Sequence, residues 1–171
     1  MTTTRTVRTS EAGTVPVTFD DSGEGRPVLL LHGGGGPQTV SAFGERLVAA
    51  GGVRVIVPTH PGFAGTPRPD ELATVGGLAA LYDALVAELG LSDVAVVGNS
   101  LGGWIAAETA ILGSPRVTGS VLIDAVGLEV AGHPVVDFFA LPLEKIANYS
   151  YRQLQLLRPG PVPDRPHGAA P

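Results

Sequence analysis

A chain of 171 residues, 44% hydrophobic and 16% charged, has the make-up of one ordinary globular domain, which argues against a disordered or fibrous polypeptide. Its formal net charge of −5 offers no basic footprint for phosphate backbones or anionic lipid, so neither nucleic acid nor a membrane surface is an expected partner. The absence of Cys removes a disulfide framework, a thiolate nucleophile and any Cys-ligated metal.

The N-terminus, Met1 to Thr6, leads into polar residues without the apolar stretch of a signal peptide. The apolar runs farther on fall well short of the roughly 20 residues that cross a bilayer. The expected compartment is the cytoplasm. Thr4 to Ser10 and Thr14 to Phe19 alternate polar and β-branched residues around Glu11-Ala12-Gly13, which predicts an antiparallel strand pair. A turn is expected at Asp20-Asp21-Ser22-Gly23. Val28 to Leu31 is a continuous apolar run ending in His32-Gly33, the pattern of a strand covered on both faces. A helix over Ser41 to Ala50 is stopped by Gly51-Gly52.

Val53 to Val57 is the next predicted strand, ending in Pro58-Thr59-His60-Pro61-Gly62. From about Glu71 to Leu89, Leu78, Leu81, Leu85 and Leu89 recur at three- and four-residue spacing, an amphipathic helix closed by Gly90. Val94 to Val97 predicts a strand, Trp104 to Leu112 a helix and Val121 to Ile123 a further strand. Strands alternating with helices imply an α/β fold, a mainly parallel sheet with helices on both faces. That architecture gathers function at the carboxyl ends of the strands.

There the sequence places Gly98-Asn99-Ser100-Leu101-Gly102, a serine between two glycines at a strand-to-helix junction. A nucleophile raised on so sharp a turn has strained backbone angles and neighbours too close to admit side chains at the flanking glycines. The following helix adds partial positive charge where an oxyanion would develop. A tetrahedral oxyanion needs two donors, and the expected pair is the N–H of Leu101 with that of Gly34 or Gly35, in His32-Gly33-Gly34-Gly35-Gly36-Pro37. The bland alternatives are a chance match of a short motif in a Gly-rich chain, and a flexible or phosphate-cradling turn. The phosphate reading lacks a Gly-Lys-Ser/Thr ending.

Taken in order, His32-Gly33-Gly34-Gly35-Gly36, Pro58-Thr59-His60-Pro61-Gly62-Phe63 and Gly98-Asn99-Ser100-Leu101-Gly102-Gly103 make the chain resemble the α/β-hydrolase family. The resemblance covers roughly residues 5 to 145. It implies a serine hydrolase of the type that includes carboxylesterases and carbon–carbon bond hydrolases, acting on a small-molecule ester or related acyl substrate with no metal or organic cofactor. It further implies a hydrolase core over 1–126, the start of a helical cap over 127–157 and a Pro-rich tail over 158–171, with the chain truncated at its C-terminal side.

In that family the orienting acid and the general-base His follow the serine in the chain, and no further buried strand is evident after Ile123. Asp124, at a strand end, is the candidate acid, against the alternative of a local hydrogen-bonding role. His167 is the candidate base by chain order, although no strand precedes Pro166-His167-Gly168. His60 falls in a loop that the resemblance places near substrate, and His32, in the oxyanion-strand motif, reads first as a structural hydrogen-bonding residue with substrate contact the alternative. Asn99 and His133, the latter at the expected cap, complete the substrate-side candidates. Val135 to Leu141 and Leu143 to about Leu157 read as two short helices, and the 14 residues from Arg158 carry five prolines, which suit neither helix nor sheet interior. So abrupt a change in composition is what a shifted reading frame or early stop would give. A sheet left incomplete would expose an edge, so self-association is expected. The rival to an enzyme is a non-catalytic fragment that binds a small ligand or a partner chain.

Overall fold

The computed structural model describes residues 1–129, 131–132, 140–142 and 145. The chain divides into two compact units, Met1–Val135 and Val136–Pro171, and the first holds every element named below. The two short helices expected after Val135, most of the expected cap and the Pro-rich tail fall outside the described residues.

The elements in chain order are β1 (Thr2–Thr9), β2 (Gly13–Gly23), β3 (Arg26–Leu31), α1 (Gln38–Ala50), β4 (Val53–Pro58), α2 (Val75–Glu88), β5 (Val94–Asn99), α3 (Leu101–Ile111) and β6 (Val117–Ile123). They form one six-stranded sheet in the order β1-β2-β4-β3-β5-β6. Pairing is antiparallel from β1 through β2 to β4 and parallel from β4 through β3 and β5 to β6. The expected α/β fold with a mostly parallel sheet is therefore present.

Period-two alternation explains why β3 reads as an unbroken apolar run. Val28 and Leu30 join Val40 of α1 and Val55, Val57 and Val97 on one face. Leu29 and Leu31 join Leu81, Tyr82 and Leu85 of α2 and Ile105 of α3 on the other. Leu29, Leu30 and Leu31 are each at most 1% exposed, and burying a side chain of this size stabilises by about 2 kcal/mol. α1 thus covers one face, while α2 and α3 cover the other.

Several boundaries differ from the sequence expectation, among them the starts of α1 at Gln38 and α3 at Leu101, and three of the differences have identifiable reasons. The turn expected at Asp20-Asp21-Ser22-Gly23 is instead the second half of β2, paired through Asp20↔Val57, Asp21↔Ile56, Ser22↔Val55 and Gly23↔Arg54. Both Asp21 carboxylate oxygens accept from the Arg54 guanidinium, at 2.9 and 2.6 Å, holding polar residues in a strand that their local propensity disfavours. α2 starts at Val75 rather than Glu71 because Thr74 caps it, its Oγ1 accepting the Gly77 N–H at 2.9 Å. β6 begins at Val117, ahead of the apolar Val121 to Ile123, because parallel pairing with β5 recruits Gly119 and Ser120.

Candidate active site

Strand order reverses at β3, which has β4 on one side and β5 on the other. A crevice opens at the carboxyl end of such a switch point. Leu31 pairs with Gly98 across β3 and β5, so the two loops leaving these strands travel side by side. Two residues on, they bring Gly33 against Ser100: a Cβ on Gly33 would lie 3.0 Å from Ser100 Cβ and 3.2 Å from the Asn99 carbonyl oxygen.

Ser100 sits at the N-cap of α3 with φ 54° and ψ −114°, and its side chain makes no capping hydrogen bond. A non-glycine residue in this region costs about 1–3 kcal/mol of backbone strain, which only firm surroundings sustain. Those surroundings are close backbone contacts. A Cβ on Gly98 would stand 1.9 Å from the Gly102 carbonyl oxygen, and one on Gly102 would stand 2.2 Å from that of Leu31. The glycines on either side of Ser100 are thus required by space. The strained residue is also tied to β6 and the loop after it: the Ser100 N–H donates to Ile123 O at 2.9 Å, and the Val126 N–H donates to Ser100 O at 3.3 Å.

After β3, Gly33 is buried whereas Gly34 and Gly35 are exposed. The Gly36 N–H donates to Gly33 O at 3.1 Å and closes the turn, with Gly36 at φ 90°. Among the described residues, the N–H groups of Gly34, Gly35 and Leu101 donate to no protein carbonyl. For Leu101 this follows from its place at the first position of α3, where backbone donors have no intrahelical partner.

His32 and His60 are both 0% exposed. Their rings stack with centroids 3.8 Å apart, and Phe63 meets both rings edge-on. The His60 N–H donates to His32 Nε2 at 3.1 Å, His60 Nε2 lies 2.8 Å from His32 O, and His32 Nδ1 lies 2.7 Å from Gly33 O. His60 Nδ1 is hydrogen-bonded to the hydroxyl of Tyr82, itself 0% exposed on α2. Burial, reinforced by the neighbouring His32, pushes the His60 imidazole down to about 3, and burial lowers His32 as well. Burial raises the Tyr82 phenol. No ring nitrogen of either histidine is left facing the solvent side.

Tyr82 was not among the residues singled out from the sequence. It lies on the apolar stripe of α2 beside Leu81, four residues after Leu78, and its aromatic ring reads there as core filling. The signal that sets it apart is the phenolic hydroxyl, which needs a partner when buried.

Asn99 ends β5 half-buried, with its side-chain amide near Gly33. Asp124 follows the Ile123 that braces Ser100, is exposed, and has φ 45°. His133 and His167 lie outside the described residues. Among the described residues, no cluster of three His, Asp or Glu side chains is placed to hold a metal ion. No helix there is long and apolar enough to cross a membrane.

Comparison with known proteins extends this geometry. The chain is 32% identical over 134 residues to 2-hydroxy-6-oxo-6-(2'-aminophenyl)hexa-2,4-dienoic acid hydrolase of Metapseudomonas resinovorans, covering 74% of this chain and 46% of that protein. It is 36% identical over 124 residues to 2-hydroxy-6-oxo-2,4-heptadienoate hydrolase of Pseudomonas putida, covering 68% and 44% respectively. Among solved structures, a thermophilic esterase from Thermogutta terrifontis superposes with a TM-score of 0.66 at 30% identity, over 76% of this chain and 48% of that one. The chain spans less than half the length of the curated relatives it matches here. The profile described as the alpha/beta hydrolase family matches residues 28–170. With that match over most of its length, and with the β3–β5 switch point and the strained Ser100 turn in place, the chain belongs to the α/β-hydrolase family.

Proposed function

We propose that this chain carries the nucleophile half of a serine hydrolase acting on a small-molecule ester or a related acyl or carbon–carbon substrate. The observation that carries the reading is Ser100: a strained residue at a strand-to-helix junction, pressed against Gly33, with its hydroxyl not used as a helix cap. Ser100 Oγ attacks the carbonyl carbon, and the N–H groups of Leu101 and of Gly34 or Gly35 take the charge that develops on the carbonyl oxygen. Collapse of the tetrahedral adduct expels the alcohol or carbon leaving group, and water then releases the acyl group from Ser100. The two dienoate hydrolases and the esterase among the relatives support a carbonyl substrate without choosing between the two bond types.

The reaction needs a base, and the internal hydrogen bonds of His32 and His60 support reading those two residues as braces of the site. His167 stays the candidate base and Asp124 the candidate acid, with Asn99 and His133 on the substrate side. The proposed compartment is the cytoplasm, and the proposed partners are a small-molecule substrate and a second copy of the chain. A second reading, a non-catalytic fragment that binds a ligand or partner, is favoured by one observation: both described histidines next to the site are internally committed.

Incubation of the purified chain with a fluorophosphonate probe, beside Ser100→Ala, separates the two. Labelling that disappears in Ser100→Ala is the expected outcome. Labelling that survives the substitution, or none in the unaltered chain, supports the non-catalytic reading.

A further inference from the structure

With both imidazoles neutral, the hydrogen bonds around His60 admit one consistent set of proton positions. His32 O is a carbonyl and can only accept, so His60 Nε2 carries its proton and donates to it. A neutral His60 then has a bare Nδ1, which accepts the Tyr82 O–H. The backbone N–H of His60 can only donate, so His32 Nε2 is bare. The proton of neutral His32 is therefore on Nδ1, donated to Gly33 O, the same oxygen that accepts the Gly36 N–H and closes the glycine turn. Every ring nitrogen is satisfied, and the donors run in one direction, from α2 through the loop after β4 to the loop after β3.

We propose that Tyr82 is a positioning residue: through His60 and His32 it fixes the turn Gly33–Gly36 and thereby the exposed N–H groups of Gly34 and Gly35. This rests on the reading of those two groups as oxyanion donors. The physical reason lies in how the turn is held: α1 reaches its far end, with Gln38 Nε2 donating to Gly35 O and Thr39 donating to Gly36 O, whereas Gly34 has nothing within 4 Å of its Cβ position and the near end, at Gly33 O, is held by His32 and the Gly36 N–H. Glycine is also the residue with the most backbone freedom. Definition must come from outside the turn, and Gly33 O is the point where the buried network reaches it.

The unaltered chain gives the first test. Long-range proton–nitrogen correlation of ¹⁵N-histidine should find His60 as the Nε2–H tautomer, unchanged between pH 8 and pH 5, and His32 as the Nδ1–H tautomer, titrating below the ordinary imidazole value. Either histidine in the opposite tautomer, or titrating near 6.5, overturns the proposal. The second test is Tyr82→Phe, which keeps the ring and removes the hydroxyl. Amide exchange at Gly36 should accelerate about tenfold, the scale of one lost buried hydrogen bond, while Leu85 and Leu89 in and beside α2 keep their rates. An unchanged Gly36, or equal acceleration throughout α2, overturns the positioning role in favour of plain packing. Fluorophosphonate labelling of the unaltered chain keeps the two claims apart, because the exchange result does not depend on Ser100 being reactive.

Discussion

Gly33 and Ser100 are fixed against each other by the pairing of β3 with β5, so that a methyl group on Gly33 would stand 3.0 Å from Ser100 Cβ. Gly33→Ala must shift the glycine turn or the Ser100 turn by a few tenths of an ångström. We expect a stability loss of about 1–3 kcal/mol, the range for overpacking a tight site, together with a slower reaction of Ser100 with a fluorophosphonate. Chemical unfolding and labelling kinetics on the same preparation check both. An alanine variant that labels as fast as the parent would mean that the turns yield freely.

Gly98 and Gly76 form a controlled pair. A Cβ on Gly98 would collide with the Gly102 carbonyl oxygen at 1.9 Å, whereas one on Gly76 in α2 meets nothing within 4 Å. Gly98→Ala should leave little folded protein, with a loss above ~3 kcal/mol because only backbone can move aside. Gly76→Ala should be neutral or stabilising by up to about 1 kcal/mol from helix propensity. Thermal unfolding by circular dichroism distinguishes them, and similar midpoints for the two variants would contradict the packing described at Gly98.

The buried histidines set the acid side of the stability curve. His60 is lowered from 6.5 to about 3, by burial first and then by His32, and His32 is lowered by burial. Their rings face Tyr82, Phe63 and the Gly33 carbonyl, with no carboxylate among these contacts. The unfolded chain binds protons below pH 6.5 that the folded chain refuses, so this stability is complete above 6.5 and is lost as pH falls toward 3. The thermal midpoint should be flat from pH 8 to 7 and fall steadily from pH 6.5 to 4. A midpoint constant down to pH 5 would indicate that neither ring is held neutral.

Thr74 supplies the N-cap of α2 by accepting the Gly77 N–H. Thr74→Ala should cost about 1 kcal/mol, with Thr74→Ser largely restoring it. Equilibrium unfolding in urea measures the difference, and an alanine variant as stable as the parent would place the helix start elsewhere.

β6 ends the described sheet with Val121 52% and Leu122 45% exposed. No charged residue interrupts Val117–Ile123, and uncharged apolar edges invite strand pairing between molecules. Sedimentation velocity should show concentration-dependent association that Val121→Lys reduces. A monomer at all concentrations would remove β6 as an association surface.

Much of this protein was determined by local sequence. The unbroken apolar run at Val28–Leu31 marked a strand covered on both faces, the leucine spacing marked α2, and the glycines around Ser100 marked a turn with no room for side chains. Each signal is written within a few residues, because periodicity and steric exclusion act over that range. Tertiary structure decided the rest. β2 continues through Asp20–Gly23 because its partner is Arg54, 33 residues away. The hydrogen bonds of His32 and His60 close internally because Tyr82, arriving from α2, supplies the hydroxyl that completes their network. A buried imidazole is defined by the partners that surround it, and those come from distant parts of the chain.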